Sequence, residues 1–114
     1  MTSTSLLDRK WLERLNQLLL ANSADANYNN AAVAAALGIS DSTLHRKLVR
    51  ITDKTPLTYI RQFRLQQAKD LIESGQYATV KEVAFAVGFL NPNYFSQRYA
   101  ALFGKRPSAV LNDL

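Results

Sequence analysis

Val33-Ala34-Ala35-Ala36-Leu37-Gly38-Ile39 returns fifty residues later as Val83-Ala84-Phe85-Ala86-Val87-Gly88-Phe89. Past the glycine the offset becomes 51, and with that one insertion Leu44 pairs with Phe95, Leu48 with Tyr99, Ile51 with Leu102, Lys54 with Lys105 and Pro56 with Pro107. Any two amphipathic helix pairs share hydrophobic spacing, because the 3.6-residue period imposes it. Shared Gly and Pro positions have no such cause, so the chain carries two copies of one helical unit. Two copies fall short of the three or more that a solenoid needs, which points to a duplicated motif inside one domain.

Boundary residues around the repeat predict seven helices. Ser5 with Asp8 forms a capping box before Leu7, Trp11, Leu12, Leu15, Leu18 and Leu19, giving a first helix to about residue 22. Asn22 to Asn30 reads as a loop, and Asn29 or Asn30 caps a second helix that Gly38 ends. Ser40 caps a third helix to about Thr52. Thr55-Pro56 opens a long fourth helix, with Leu57, Ile60, Leu65, Ala68, Leu71 and Ile72 available for packing, that stops at Gly75. Thr79 with Glu82 opens a fifth helix, Asn91-Pro92 a sixth that Gly104 closes, and Pro107 a short last one. No segment alternates like a strand. The predicted class is all-α: two helix-turn-helix motifs joined by a long central helix, a homeodomain-like pair.

Size and composition agree with one core and narrow the chemistry. A chain of 114 residues that is 47% hydrophobic fills one domain rather than two. Fourteen Lys and Arg against nine Asp and Glu leave a charge of +5, which favours an anionic partner. The absence of cysteine removes disulfides, thiolate metal sites and cysteine nucleophiles, and suits a reducing cytoplasm. With one histidine and no cysteine, neither a metal site nor a catalytic base is expected. The chain reads as no enzyme, with no cofactor and no membrane contact.

Projecting each second helix at about 100° per residue separates a buried from an outward side. Leu44, Leu48 and Ile51 face in on the third helix, which leaves Ser42, Arg46 and Val49 outward, His45 and Arg50 flanking, and Thr43 and Lys47 at the rim. On the sixth, Phe95, Tyr99 and Leu102 face in, with Asn93, Gln97 and Ala100 outward and Tyr94 and Ser96 at the sides. Arg pairs with guanine O6 and N7, and Asn or Gln with adenine N6 and N7, so these faces suit base edges. Ser42 or Ser96 taken alone reads equally as a solvated residue. From His45 to Lys69 the chain carries Arg46, Lys47, Arg50, Lys54, Arg61, Arg64 and Lys69 with Asp53 as the sole acid. That run suits phosphate contact or a solvated face, and Arg61 or Arg64 is also placed to enter an internal ion pair. The fourth helix, roughly 25 to 30 Å long at 1.5 Å per residue, is of a length to present both recognition helices to major-groove segments about 34 Å apart.

Ala84-Phe85-Ala86-Val87-Gly88-Phe89, Asn91-Pro92-Asn93-Tyr94-Phe95-Ser96 and Phe103-Gly104-Lys105-Arg106-Pro107-Ser108 resemble the signature of AraC/XylS-type transcription regulators. The resemblance extends upstream through Leu37 to Ser40, Leu44 to Leu48 and Pro56 to Arg61, covering roughly residues 8–112. It implies a short tail over 1–7 and an AraC-type double helix-turn-helix domain over 8–112, with the first motif at about 30–52, the linker helix at about 56–74 and the second motif at about 79–103. It implies base contacts from Ser42, His45 and Arg46 and from Asn93, Tyr94, Ser96 and Gln97. Phosphate contacts are expected from Thr43, Lys47, Arg50, Lys54, Arg61, Arg98 and Lys105. Leu44 to Leu48 followed by Thr55-Pro56 is similar to the output domains of hybrid two-component sensors. The expected partners are double-stranded DNA and either RNA polymerase or an upstream sensor or receiver domain of the same polypeptide, with room for dimerisation through parts outside this segment.

Where the family carries a basic pair after the sixth helix's aromatic, this chain has Ala100-Ala101, and Val110-Leu111 stands where Tyr-Arg is common. The first motif is therefore expected to supply most of the grip and the second discrimination. The competing reading is a helical module that binds protein, motivated by the near-neutral second motif. An enzyme is the third and weakest reading: some DNA repair methyltransferases carry a similar helical domain, but their chemistry needs a cysteine and this chain has none.

Overall fold

The structure, a computed structural model, describes residues 5–112. They form seven helices: α1 (Leu6–Ala21), α2 (Asn30–Leu37), α3 (Asp41–Thr52), α4 (Pro56–Glu73), α5 (Val80–Ala86), α6 (Pro92–Phe103) and α7 (Pro107–Asn112). There is no strand among the described residues. The all-α, two-motif class is as the sequence predicts.

Side-chain caps open α1, α2, α3, α5 and α6. The Ser5 hydroxyl accepts from the Asp8 amide at 3.1 Å, Asn29 Oδ1 from Ala32 at 3.1 Å, Ser40 Oγ from Thr43 at 3.1 Å, and Thr79 Oγ1 from Glu82 at 3.2 Å. Asn91 Oδ1 takes both the Asn93 and Tyr94 amides, at 2.9 and 3.1 Å, ahead of the Pro92 start. These bonds satisfy donors that a helix cannot pair internally, worth about 1 kcal/mol each.

The expected single core is divided: contacts gather the chain into two compact units. Among the described residues, one holds 5–22 with Tyr28–Ile60, the other Ser23–Asn27 with 61–112. Duplication explains the division, since each copy brings its own apolar interior. In the first unit Leu15 and Leu19 of α1, Val33 and Ala34 of α2, and Leu44 and Leu48 of α3 are buried. In the second, Leu65, Ala68 and Ile72 of α4 pack with Val83, Ala84, Val87, Phe89, Phe95 and Tyr99.

Several inward assignments change. Leu102 is 41% exposed, and Phe103 takes the inner position, its ring 4.7 Å from that of Tyr99, which in turn lies 5.8 Å from Phe95. The inner stripe thus steps by four residues through Phe95, Tyr99 and Phe103, because the larger ring wins the contact. Leu7 and Leu57 are exposed, and Ile51 is half-buried.

Candidate nucleic-acid interface

The two motifs turn by the same hydrogen bonds. The Ile39 amide donates to the Ala34 carbonyl at 3.0 Å, and the Phe89 amide to the Ala84 carbonyl at 2.8 Å. Between donor and acceptor stand Gly38 at φ 71° and Gly88 at φ 86°, a left-handed conformation that costs L side chains about 1–2 kcal/mol. Buried Ala34 and Ala84 keep this crossing narrow. The turns differ by one residue, as the change of offset requires: Ser40 caps α3 two residues after Gly38, and Asn91 caps α6 three after Gly88. Leu90 occupies the extra position and is exposed.

With Leu44 and Leu48 fixed inside, α3 presents Ser42, His45, Arg46, Val49 and Arg50 to solvent, while Thr43 and Lys47 lie half-buried at its edge. Thr43, Arg46, Lys47 and Arg50 line one open groove. Arg46 Nη2 donates to Thr43 Oγ1 at 3.3 Å, along the helix surface. Lys54 is exposed just past the end of α3.

Helix α1 grips two of these cations. Arg50 makes a fork of two bonds to the Asp8 carboxylate, at 2.9 and 3.0 Å, which holds that carboxyl below the usual aspartate range. Lys47 Nζ stands 4.7 Å from the centroid of the Trp11 ring. Sequence reasoning missed both partners. Asp8 and Arg50 are 42 residues apart, and no local pattern joins them.

On α6 the buried Phe95 and Tyr99 leave Asn93, Tyr94 and Gln97 exposed and Ser96 half-buried. Ala100, expected outward, is half-buried, and Ala101 is exposed in its place. Arg98 leans toward α4, where it lines a cleft with Arg61, Gln62, Leu65, Ala101 and Leu102. Lys105 is exposed beyond Gly104.

Arg64 leaves the basic run altogether. It is buried, donating from Nη2 to the Asp25 carbonyl at 2.9 Å and from Nη1 to the Gly88 carbonyl at 3.4 Å. Burial lowers its pKa, and Asp25 opposes that shift. Of the two arginines offered for an internal pair, Arg64 ties down backbone carbonyls, and Arg50, not among them, forms an ion pair with Asp8. Among the described residues no group of acidic or histidine side chains is gathered to hold a metal ion, and no helix is long and apolar enough to cross a membrane.

A family profile described as a helix-turn-helix domain matches residues 33–113. The chain is 30% identical over 108 residues to Histidine kinase P4 of Formosa agariphila, covering 95% of this chain and 8% of that protein. It is 35% identical over 99 residues to the transcriptional activator RhaS of Escherichia coli O139:H28, covering 85% of this chain and 35% of that one. Its structure resembles the DNA-binding domain of the global transcriptional factor AdpA, solved in complex with a target DNA, with a TM-score of 0.79, 25% identity and 90% of each chain covered. The chain thus spans a small part of the curated relatives it matches. The profile match, the duplicated turn and the motifs around it agree, and the chain belongs to the helix-turn-helix family of the AraC/XylS type.

Proposed function

We propose that this domain binds double-stranded DNA by sequence, as the output domain of a transcription regulator, and that each unit offers one recognition helix to the major groove. The observation that carries the reading is the repeated turn, Ile39 to Ala34 and Phe89 to Ala84, each followed by a helix whose free face holds base-reading side chains. The likeness to the AdpA domain supports it.

Base reading falls to Ser42, His45 and Arg46 on α3 and to Asn93, Tyr94, Ser96 and Gln97 on α6. Arg46 suits guanine, Asn93 and Gln97 suit adenine, and Tyr94 brings an exposed apolar ring to a thymine methyl. Backbone contact falls to Thr43, Lys47 and Lys54 in the first unit and to Arg61, Arg98 and Lys105 in the second, positioning the helices without carrying sequence information; Arg50, also expected there, is engaged by Asp8. The likeness to Histidine kinase P4 supports placement at the output end of a longer sensor polypeptide. An upstream sensor or receiver domain, dimerisation outside this segment and contact with RNA polymerase belong to the same proposal.

The test is selection of preferred sites from a random duplex pool with this domain alone, followed by gel-shift titration. Enrichment of one site of roughly 15 to 20 base pairs is expected. Equal affinity for the selected and random duplexes overturns sequence-specific binding.

A further inference from the structure

We propose that Asp8 sets the DNA affinity of the first unit by withholding Arg50 from the DNA backbone; the inference rests on the DNA-binding reading above. Lys47 and Arg50 lie three residues apart along one edge of α3, and α1 holds them in two chemically different ways. Over the Trp11 ring Lys47 keeps its full charge, because a ring face attracts a cation without neutralising it. Arg50 spends both terminal nitrogens on Asp8, the fork geometry by which a guanidinium would also hold a phosphate. The Asp8 side chain is 13% exposed and that of Arg50 55%, so the carboxylate lies beneath a guanidinium whose outer face is wet.

The groove of Thr43, Arg46, Lys47 and Arg50 therefore offers DNA one cation fewer than its composition suggests. Arg50 meets a phosphate either with the N–H groups the fork leaves over, still beside the carboxylate, or by leaving Asp8, whose carboxylate then faces the DNA with its charge uncovered. Either way the pair contributes close to zero net charge to binding. Asp8 is an affinity-setting residue that touches no DNA and acts through Arg50.

Binding to a random-sequence duplex, followed as a function of salt, tests this directly, because each phosphate neutralised adds about 0.9 to the slope of log K against log salt. Asp8→Asn is expected to steepen that slope by roughly 0.9 and to tighten binding several-fold at low salt. Arg50→Ala in the native background leaves the Asp8 carboxylate uncovered and is expected to weaken binding, and Asp8→Asn with Arg50→Ala to return affinity and slope close to native. Fluorescence of Trp11, the one tryptophan of the chain, reports whether each variant is folded. With its guanidinium in solvent the ion pair adds little stability, so folding is expected to persist. Unchanged slope and affinity in Asp8→Asn overturn the proposal, as does weaker binding, which would make Asp8 a residue that orients Arg50 for contact. If native protein binds with a salt-dependent slope that Lys47→Ala reduces, such a result counts against the role of Asp8 alone. Native protein that binds no duplex overturns the DNA-binding reading and this inference with it.

Discussion

Arg64 and Gly88 are fitted to one another: Arg64 Nη1 donates to the Gly88 carbonyl at 3.4 Å and stands 2.8 Å from where a Cβ on Gly88 would lie. The Ser23 carbonyl crowds the same point at 2.7 Å. The matching glycine of the first motif, Gly38, has nothing within 4 Å of its would-be Cβ. The two glycines share a conformation and differ in surroundings.

Alanine at each position separates those two costs. Gly38→Ala pays only for the left-handed backbone and is expected to lose about 1 kcal/mol. Gly88→Ala adds a collision with backbone at Ser23 and with a buried guanidinium, and is expected to lose about 3 kcal/mol or more. Denaturant unfolding of both variants measures the difference. Equal losses would mean that the Ser23 loop and Arg64 yield to the methyl group.

Arg64 also separates structural from DNA-facing charge. Lysine in its place reaches one carbonyl where arginine bridges those of Asp25 and Gly88, so Arg64→Lys is expected to cost about 1 to 3 kcal/mol of stability. The salt slope of DNA binding is expected to stay at the native value. A slope lowered by about 0.9 would place Arg64 on the DNA backbone instead.

Helix ends were legible because their causes are local: Ser5, Ser40 and Thr79 cap amides three residues ahead, and Gly88 and Gly104 stop helices where φ turns positive. The outward face of α3 and the first turns of that of α6 followed from Leu44, Leu48, Phe95 and Tyr99. Choosing between Leu102 and Phe103 was beyond periodicity, since either continues the stripe and ring packing against Tyr99 decides. Arg64 and Arg50 looked alike within a basic run. What separates them lies far along the chain, in the Asp25 carbonyl for one and the Asp8 carboxylate for the other.

The corrected inner stripe of α6 has its own consequence. Phe95 is fully buried among Phe89 and Tyr99, with ring centroids at 5.2 and 5.8 Å, so Phe95→Ala is expected to cost about 3 to 5 kcal/mol. Leu102→Gln removes a side chain that is 41% exposed and is expected to change stability by about 0.5 kcal/mol or less. Thermal unfolding of the pair distinguishes this arrangement from one with Leu102 inside, for which the glutamine variant would lose several times more.

Arg46 and Lys47 are neighbours on α3 with different surroundings, which assigns them different work. Arg46 is exposed beside His45 and Ser42 and spends one long bond on Thr43, so its remaining donors suit a guanine edge, whereas Lys47 lies at the helix rim over Trp11, where a phosphate strand would pass. Arg46→Ala is expected to cost about 1 to 3 kcal/mol on the preferred site, to cost far less on random duplex, and to erase the preference at one base pair. Lys47→Ala is expected to weaken binding to both duplexes by a similar factor and to lower the salt slope by about 0.9, with the base preferences intact. Paired titrations of the two variants on selected and random duplexes decide between the roles. A uniform loss in Arg46→Ala would move Arg46 to the backbone and leave His45 and Ser42 to read the bases of the first half of the site.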